Sequence, residues 1–260
     1  MSPDSNAVDL QPLSARSVVL SLMLGAFPEP MSPAALTRAG EHFGIASSTV
    51  RVALTRAVAA GDLRREDGAY ALGERLADRQ RRQDEAADDA ERPWDGSWEM
   101  AVVTVTGRSS PERAALRDEL GEARMAELRE GVWTRPANLR REPGYRSQSV
   151  LACFTARPDG DPAVLASRLW DLAGWSERGR MLMSRFERTR DPAARFAAAA
   201  HLVRHLATDP LLPAPLLPPN WPGDALRATY AGYQVELGEL ASGEVNSSTT
   251  KLAPPSASAQ

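Results

Sequence analysis

Between Ser47 and Arg56 the chain reads Ser-Ser-Thr-Val-Arg-Val-Ala-Leu-Thr-Arg, and these side chains suit contact with a polyanion. A guanidinium pairs bidentately with guanine, a hydroxyl reaches base edges or phosphates, and a valine methyl can meet the methyl of thymine. On a helix turning about 100° per residue, Val50, Ala53, Leu54, Ala57 and Val58 fall on one arc. Ser48, Thr49, Arg51, Val52, Thr55, Arg56 and Ala59 fall on the other. No acid lies between Glu41 and Asp62 to oppose phosphate. Arg51 sits centrally in the outward N-terminal half and is the expected base reader, while the more lateral Arg56 is expected to hold phosphate. The competing reading is an ordinary amphipathic helix with a solvated face.

Other residues that could do chemistry point to packing instead. His201 and His205 share a helix face, but the Leu-Val-Arg between them lacks the glutamate of a zinc-protease helix and no third ligand accompanies them, so no metal is expected. The single cysteine, Cys153, lies in the apolar run from Val150 to Phe154 and reads as a buried strand residue. No nucleophile elbow, histidine–carboxylate set or carboxylate cluster is evident, so neither a catalytic residue nor a cofactor is expected.

The elements around the polyanion-facing helix have clear punctuation. Val18, Val19, Leu22 and Met23 recur at helical spacing from Ser14 onward, and Ser32-Pro33 opens a short second helix reaching Phe43. Gly44 turns the chain, Ser47 or Ser48 is expected to cap the third helix, and Gly61 ends it. Leu63 to Leu72 then reads as a hairpin turning at Asp67-Gly68, with Arg64 and Arg65 placed to touch DNA backbone. Together these make a winged helix-turn-helix.

Beyond it, Gly73 to Arg92 reads as a charged connector helix ended by Pro93. Strands are expected at Met100–Thr106, Gly131–Trp133 and Ser149–Thr155, with helices from Ser109 and from Asp161 to Leu172. That β-α-β-β-α order suggests a ferredoxin-like sheet. Helices at Trp175–Arg190, from Asp191-Pro192 to Leu206, and at Pro222–Leu240 follow, with Pro-rich Asp209 to Pro222 as a rigid loop. The expected fold class is multidomain α+β: an arm at 1–13, a winged helix-turn-helix at 14–73, a connector at 74–93, a ferredoxin-like βαββαβ domain at 94–173, a C-terminal helical domain at 174–241, and a disordered tail at 242–260.

Charge follows this division. Residues 14–65 hold six arginines (16, 38, 51, 56, 64, 65) against Glu29, Glu41 and Asp62, whereas residues 66–99 hold eleven acids against five arginines. The positive charge gathers at the proposed DNA head although the whole chain carries a net charge of -3. Nothing approaches the roughly 18 apolar residues of a membrane span, and no signal peptide is evident, so a cytoplasmic protein without a membrane partner is expected.

The order Arg16-Ser17, His42-Phe43-Gly44-Ile45, Val50-Arg51-Val52-Ala53-Leu54-Thr55-Arg56 and Gly61-Asp62-Leu63 resembles the PaaX family of bacterial repressors. The likeness continues through Trp94-Asp-Gly-Ser-Trp98, Gly131-Val-Trp-Thr-Arg-Pro136, Leu169-Trp-Asp-Leu172, Asp209-Pro-Leu-Leu-Pro213 and Trp221-Pro-Gly223, covering about residues 14 to 240. The resemblance implies a middle domain that mediates dimerisation and an effector that is an aryl-acyl-coenzyme A, with phenylacetyl-coenzyme A the first expectation. Such a ligand needs an apolar slot and cations for its phosphates, which Trp133, Arg135, Trp175, Arg178 and Arg180 are candidates to supply.

The expected function is therefore a homodimeric, sequence-specific repressor of a catabolic operon, bound to double-stranded operator DNA and released by a small effector. An activator or dual regulator with the same head is the alternative within this class. A metal-dependent nuclease built on the ferredoxin-like domain is the alternative from a different one.

Overall fold

The computed structural model describes residues 14–78, 80, 92–141 and 144–242. The arm at 1–13, most of the connector and the tail beyond 242 lie outside the described residues. The fold is α+β, helical toward both ends with a small sheet between. It divides into two units. One holds residues up to Asp78, Asp191–Ala197 and those from Ala231 onward, and the other holds Arg79–Arg190 with Ala198–Tyr230.

The first unit begins with helices α1 (Ala15–Ala26), α2 (Pro33–His42) and α3 (Ser47–Ala59), followed by strands β1 (Leu63–Glu66) and β2 (Ala69–Leu72). Ser14 caps α1 by accepting from Ser17 N at 3.2 Å, and Ser32 caps α2 by accepting from Ala35 N at 3.1 Å. The expected serine cap of α3 is absent: Ala46 holds the N-cap position and makes no side-chain bond, so Ser47 and Ser48 lie inside the first turn. Val18, Leu22, Leu36, Val50, Leu54 and Ala57 form the buried centre of the three helices. Each fully buried leucine there contributes about 1.5–3 kcal/mol.

Gly40 lets α2 and α3 approach closely, since a Cβ at Gly40 would lie 2.4 Å from Val50 Cγ2. In the hairpin, Asp67 and Gly68 have φ of 46° and 81°, the paired left-handed conformations of a tight two-residue turn. Met31 and Tyr70 exchange backbone bonds of 2.9 Å in both directions, which ties the hairpin to the segment entering α2.

The second unit is built on an antiparallel sheet in the order β4-β5-β3-β6, with β3 at Trp98–Val103, β4 at Ala126–Arg129, β5 at Val132–Pro136 and β6 at Leu151–Ala156. Helix α4 (Ser110–Glu122) follows β3, and its Ser109–Glu112 capping box is complete. Leu116 and Leu120 of α4 pack with Ala101, Trp133 and Tyr145 on one face of the sheet. On the other face Trp98 packs with Ala166, Leu172, Leu212 and Leu216. Strand β3 is therefore covered from both sides.

Two differences from the expected order matter. Strand β4 was not anticipated, because Glu127, Arg129 and a register break between them hide its alternation. With β4 counted, β6 is the fourth strand, and the connection from β5 to β6 carries only a 3-10 turn at Gly144–Ser147 among its described residues. The helix from Asp161 follows the Ser149–Thr155 strand as expected, but it comes after the last strand of the sheet rather than before it. That helix also ends early: α5 (Pro162–Leu169) stops where Trp170 turns extended, and α6 (Leu172–Arg188) starts afresh from the Asp171 cap.

Helices α7 (Pro192–Leu206) and α8 (Gly223–Ser242) each contribute residues to both units. In the first unit, Phe196 meets Phe43 edge-on at 5.2 Å and Arg195 pairs with Glu236 at 2.9 Å. In the second, Trp175 is stacked between His205 and Trp221, each ring 4.3 Å away. The loop from Asp209 to Pro213 is held by Arg227, whose guanidinium reaches Asp209 at 2.7 Å. No helix of the described residues is long and apolar enough to cross a membrane.

Candidate nucleic-acid interface

Helix α3 presents the two arcs expected from its periodicity. Val50, Ala53, Leu54 and Ala57 are buried, and Ser48, Thr49, Arg51, Val52, Thr55, Arg56 and Ala59 are exposed. Val52 is 49% exposed and leaves an apolar spot amid the polar face. Ser47 is half-buried at the first turn. Thr55 donates its hydroxyl to Arg51 O at 3.0 Å, which leaves the hydroxyl oxygen only its acceptor capacity for any other partner. Among the described residues Arg51 and Arg56 have no carboxylate partner, and their charges are uncompensated. Thr49, Val52 and Arg56 also line a cleft of about 460 Å³ whose far wall is Ser14–Arg16 at the start of α1.

The hairpin arginines are engaged locally. Arg64 pairs with Glu66 at 2.8 Å, and the Arg65 guanidinium lies over the Tyr70 ring at 5.6 Å from its centroid. A phosphate would have to compete with Glu66 for Arg64, whereas it would find Arg51 and Arg56 unopposed.

Asp62 is the residue that spacing did not reveal. Its carboxylate is buried and accepts from Arg16 and, at 3.1 Å, from Arg75. It thereby links the start of α1, the end of α3 and the residues after the hairpin. Arg16, counted among the head's free cations by composition, is neutralised by this contact. The only local clue is the position of Asp62 directly after the left-handed Gly61.

The five effector candidates do not converge on a slot. Trp133 packs beneath the sheet. Arg135 is 0% exposed, donating to Pro136 O at 3.0 Å, Asn138 Oδ1 at 3.0 Å and Leu211 O at 3.1 Å. Burial lowers its pKa to about 10, with Arg141 adding to the shift and Glu99 opposing it, so it stays cationic at neutral pH. Trp175 is buried in its stack and donates to Thr208 Oγ1 at 3.1 Å. Arg178 and Arg180 are exposed on α6, and Arg180 reaches Asn220 O at 3.1 Å. An apolar pocket of about 310 Å³ does exist in this unit, lined by Trp170, Leu172, Pro215 and Leu216 with Ser167 and Asp171 at hand, but none of the five lines it.

His205 is a packing residue: it bonds Trp175 O at 3.0 Å, and burial lowers its pKa. Among the described residues no three of histidine, cysteine, aspartate and glutamate are grouped to hold a metal ion. Cys153 is half-buried against the α4 side of the sheet, and burial raises its pKa.

Three family models match the chain in succession: PaaX-like protein over residues 14–79, the PaaX protein central Cas2-like domain over 91–156, and the PaaX-like protein C-terminal domain over 171–246. The molecule is thus of the class built from PaaX domains in that order. The chain belongs to the PaaX family, whose domains point to a regulator of the phenylacetic acid pathway. Among solved structures it is similar to the uncharacterized protein Rv0674 from Mycobacterium tuberculosis, with 46% identity and a TM-score of 0.81 over 88% of this chain and 98% of that one. No curated protein is similar enough to match.

Proposed function

We propose that the protein is a DNA-binding transcriptional repressor whose first unit is a winged helix-turn-helix and whose α3 reads the major groove. The observation that carries this reading is the outward arc of α3: exposed, acid-free, and bearing two arginines without carboxylate partners among the described residues, around an exposed valine. Arg51 reads a base, Arg56 and the hydroxyls of Ser47, Ser48 and Thr49 hold backbone, and Val52 and Thr55 complete the surface. Arg64 and Arg65 have secondary roles because both have partners within the hairpin. The backbone pairing of Met31 with Tyr70 supports the winged reading, since it makes the hairpin an extension of the helical core rather than a free arm.

The sheet order β4-β5-β3-β6 with uniformly antiparallel pairing supports a ferredoxin-like middle domain whose second crossover helix is reduced to a 3-10 turn. In this reading that domain pairs two copies so that two heads engage two half-sites. The effector is an aryl-acyl-coenzyme A, phenylacetyl-coenzyme A first among them. Its aryl group suits the 310 Å³ pocket beside Trp170, and exposed cations such as Arg178 and Arg180 suit its phosphates. Induction requires the effector to favour the arrangement that does not bind DNA, because equal affinity for both shifts nothing.

The test is a mobility-shift assay on DNA upstream of the protein's own gene, with and without a panel of acyl-coenzyme A thioesters. Wild-type protein should shift the DNA, Arg51→Ala should not, and an aryl-acyl thioester should release the wild-type complex. An Arg51→Ala protein with unchanged operator preference removes Arg51 as a reader.

A further inference from the structure

We propose that two copies join through the outer edge of β6, running antiparallel about a two-fold axis at Phe154, so that two four-stranded sheets become one continuous sheet. This rests on the dimeric reading above and names its surface.

A sheet leaves two edges, and here they are built differently. The β4 edge carries Glu127 and Arg129, breaks register between them, and has Glu127 paired with Arg117 at 3.8 Å. Charges and bulges are the devices that stop edge strands from pairing. The β6 edge has none of them. Its six residues, Leu-Ala-Cys-Phe-Thr-Ala, contain no charge, no proline and no register break against β3, and Phe154 is 54% exposed. Among the named strands β6 pairs with β3 alone.

The hydrogen-bond phase says which backbone groups are available. Val103 N bonds to Gly131 O on the β5 side, whereas Thr104 N bonds to Val150 O on the β6 side. Bonded pairs alternate along an antiparallel ladder. By the β3–β6 register, Ala152, Phe154 and Ala156 therefore turn their N–H and C=O groups toward β3, while Cys153 and Thr155 turn theirs outward. Antiparallel pairing centred on Phe154 sets Cys153 of each copy opposite Thr155 of the other, and all of these outward groups gain partners. The two Phe154 residues then form a non-hydrogen-bonded pair, the closer kind, with Cα atoms about 4.5 Å apart. Their exposed rings cover each other on the sheet face opposite α4.

The phase also supplies a selective probe. Proline at 155 removes an outward N–H and leaves the β3 ladder whole, which an edge position tolerates. Sedimentation equilibrium of the full chain should show a wild-type dimer and a Thr155→Pro dissociation constant raised roughly tenfold or more, which is about 1.4 kcal/mol. In a second measurement, Cys153→Ala/Phe154→Cys protein should form a covalent dimer on mild oxidation, and Cys153→Ala alone should not. A Thr155→Pro protein that dimerises as tightly as wild type, or failure of the Phe154→Cys protein to cross-link while it remains dimeric, overturns the β6 surface and leaves the dimeric reading standing. A wild-type chain that sediments as a monomer at micromolar concentration overturns both.

Discussion

On α3, Arg51 and Arg56 are exposed with no carboxylate beside them among the described residues, whereas in the second unit Arg135 is wholly enclosed and directs N–H groups to Pro136 O, Leu211 O and Asn138. The same side chain, in a protein whose single lysine is Lys251, thus serves as a probe of the outside in one region and as an internal strut in the other. What separates the two uses is the supply of acceptors. Leu211 adopts φ of 49°, and its carbonyl takes bonds from both Arg135 and Asn138, so main chain supplies part of the buried cation's solvation, while Nη1 finds no partner among the described residues. Among the described residues Arg51 and Arg56 have no such acceptor.

The largest effect separating these uses should come from Arg135→Ala. It strands buried acceptors and removes the cation facing buried Glu99, and should cost about 3–5 kcal/mol in urea unfolding. If stability is unchanged, the strut role is wrong. Arg51→Ala should do the reverse: operator affinity should fall by about 1–3 kcal/mol, while the urea midpoint stays within about 0.5 kcal/mol of wild type.

Gly40→Ala tests whether the α2–α3 approach supports that outward face. The clash with Val50 should destabilise the head by about 1–3 kcal/mol, seen as a lower thermal midpoint. Arg56→Ala should reduce the salt slope of operator binding by about 0.9, the loss of one phosphate contact, while keeping the ranking of operator sequences.

The smallest effect is one of pH on the second unit. Burial depresses the pKa of His205 below its ordinary 6.5, so folding favours the neutral ring. That contribution is complete above the unfolded pKa and is lost as pH falls through the folded one. Thermal stability of the wild type should therefore decline below about pH 6.5 more steeply than that of His205→Gln.

Much of this architecture was legible from order and periodicity. The Ser32-Pro33 start of α2, the Asp67-Gly68 turn, the Ser109–Glu112 cap and the two arcs of α3 each depend on residues within a few positions of one another, and local geometry satisfied them as read. What escaped depends on distant partners. Trp133, Arg135 and Trp175 have the composition of a ligand slot, but Arg135 finds its acceptor 76 residues away at Leu211 and Trp175 bonds Thr208, 33 residues on. Strand β4 escaped because its charges protect an edge, which erases the alternation by which strands are found. Asp62 looked like one acid among several because Arg16 and Arg75 reach it from opposite directions along the chain.

The Asp209–Pro213 loop bears on how such proteins can be cut and recombined. Arg135 and Asn138 both rely on its Leu211 carbonyl, Arg124 donates to the carbonyls of Ala207 and Asp209, and Trp98 packs on Leu212. The span matched by the central-domain model, 91–156, contains none of these acceptors. Family boundaries and folding boundaries therefore do not coincide, and a chimera that exchanges the central segment between relatives must carry the later loop with it.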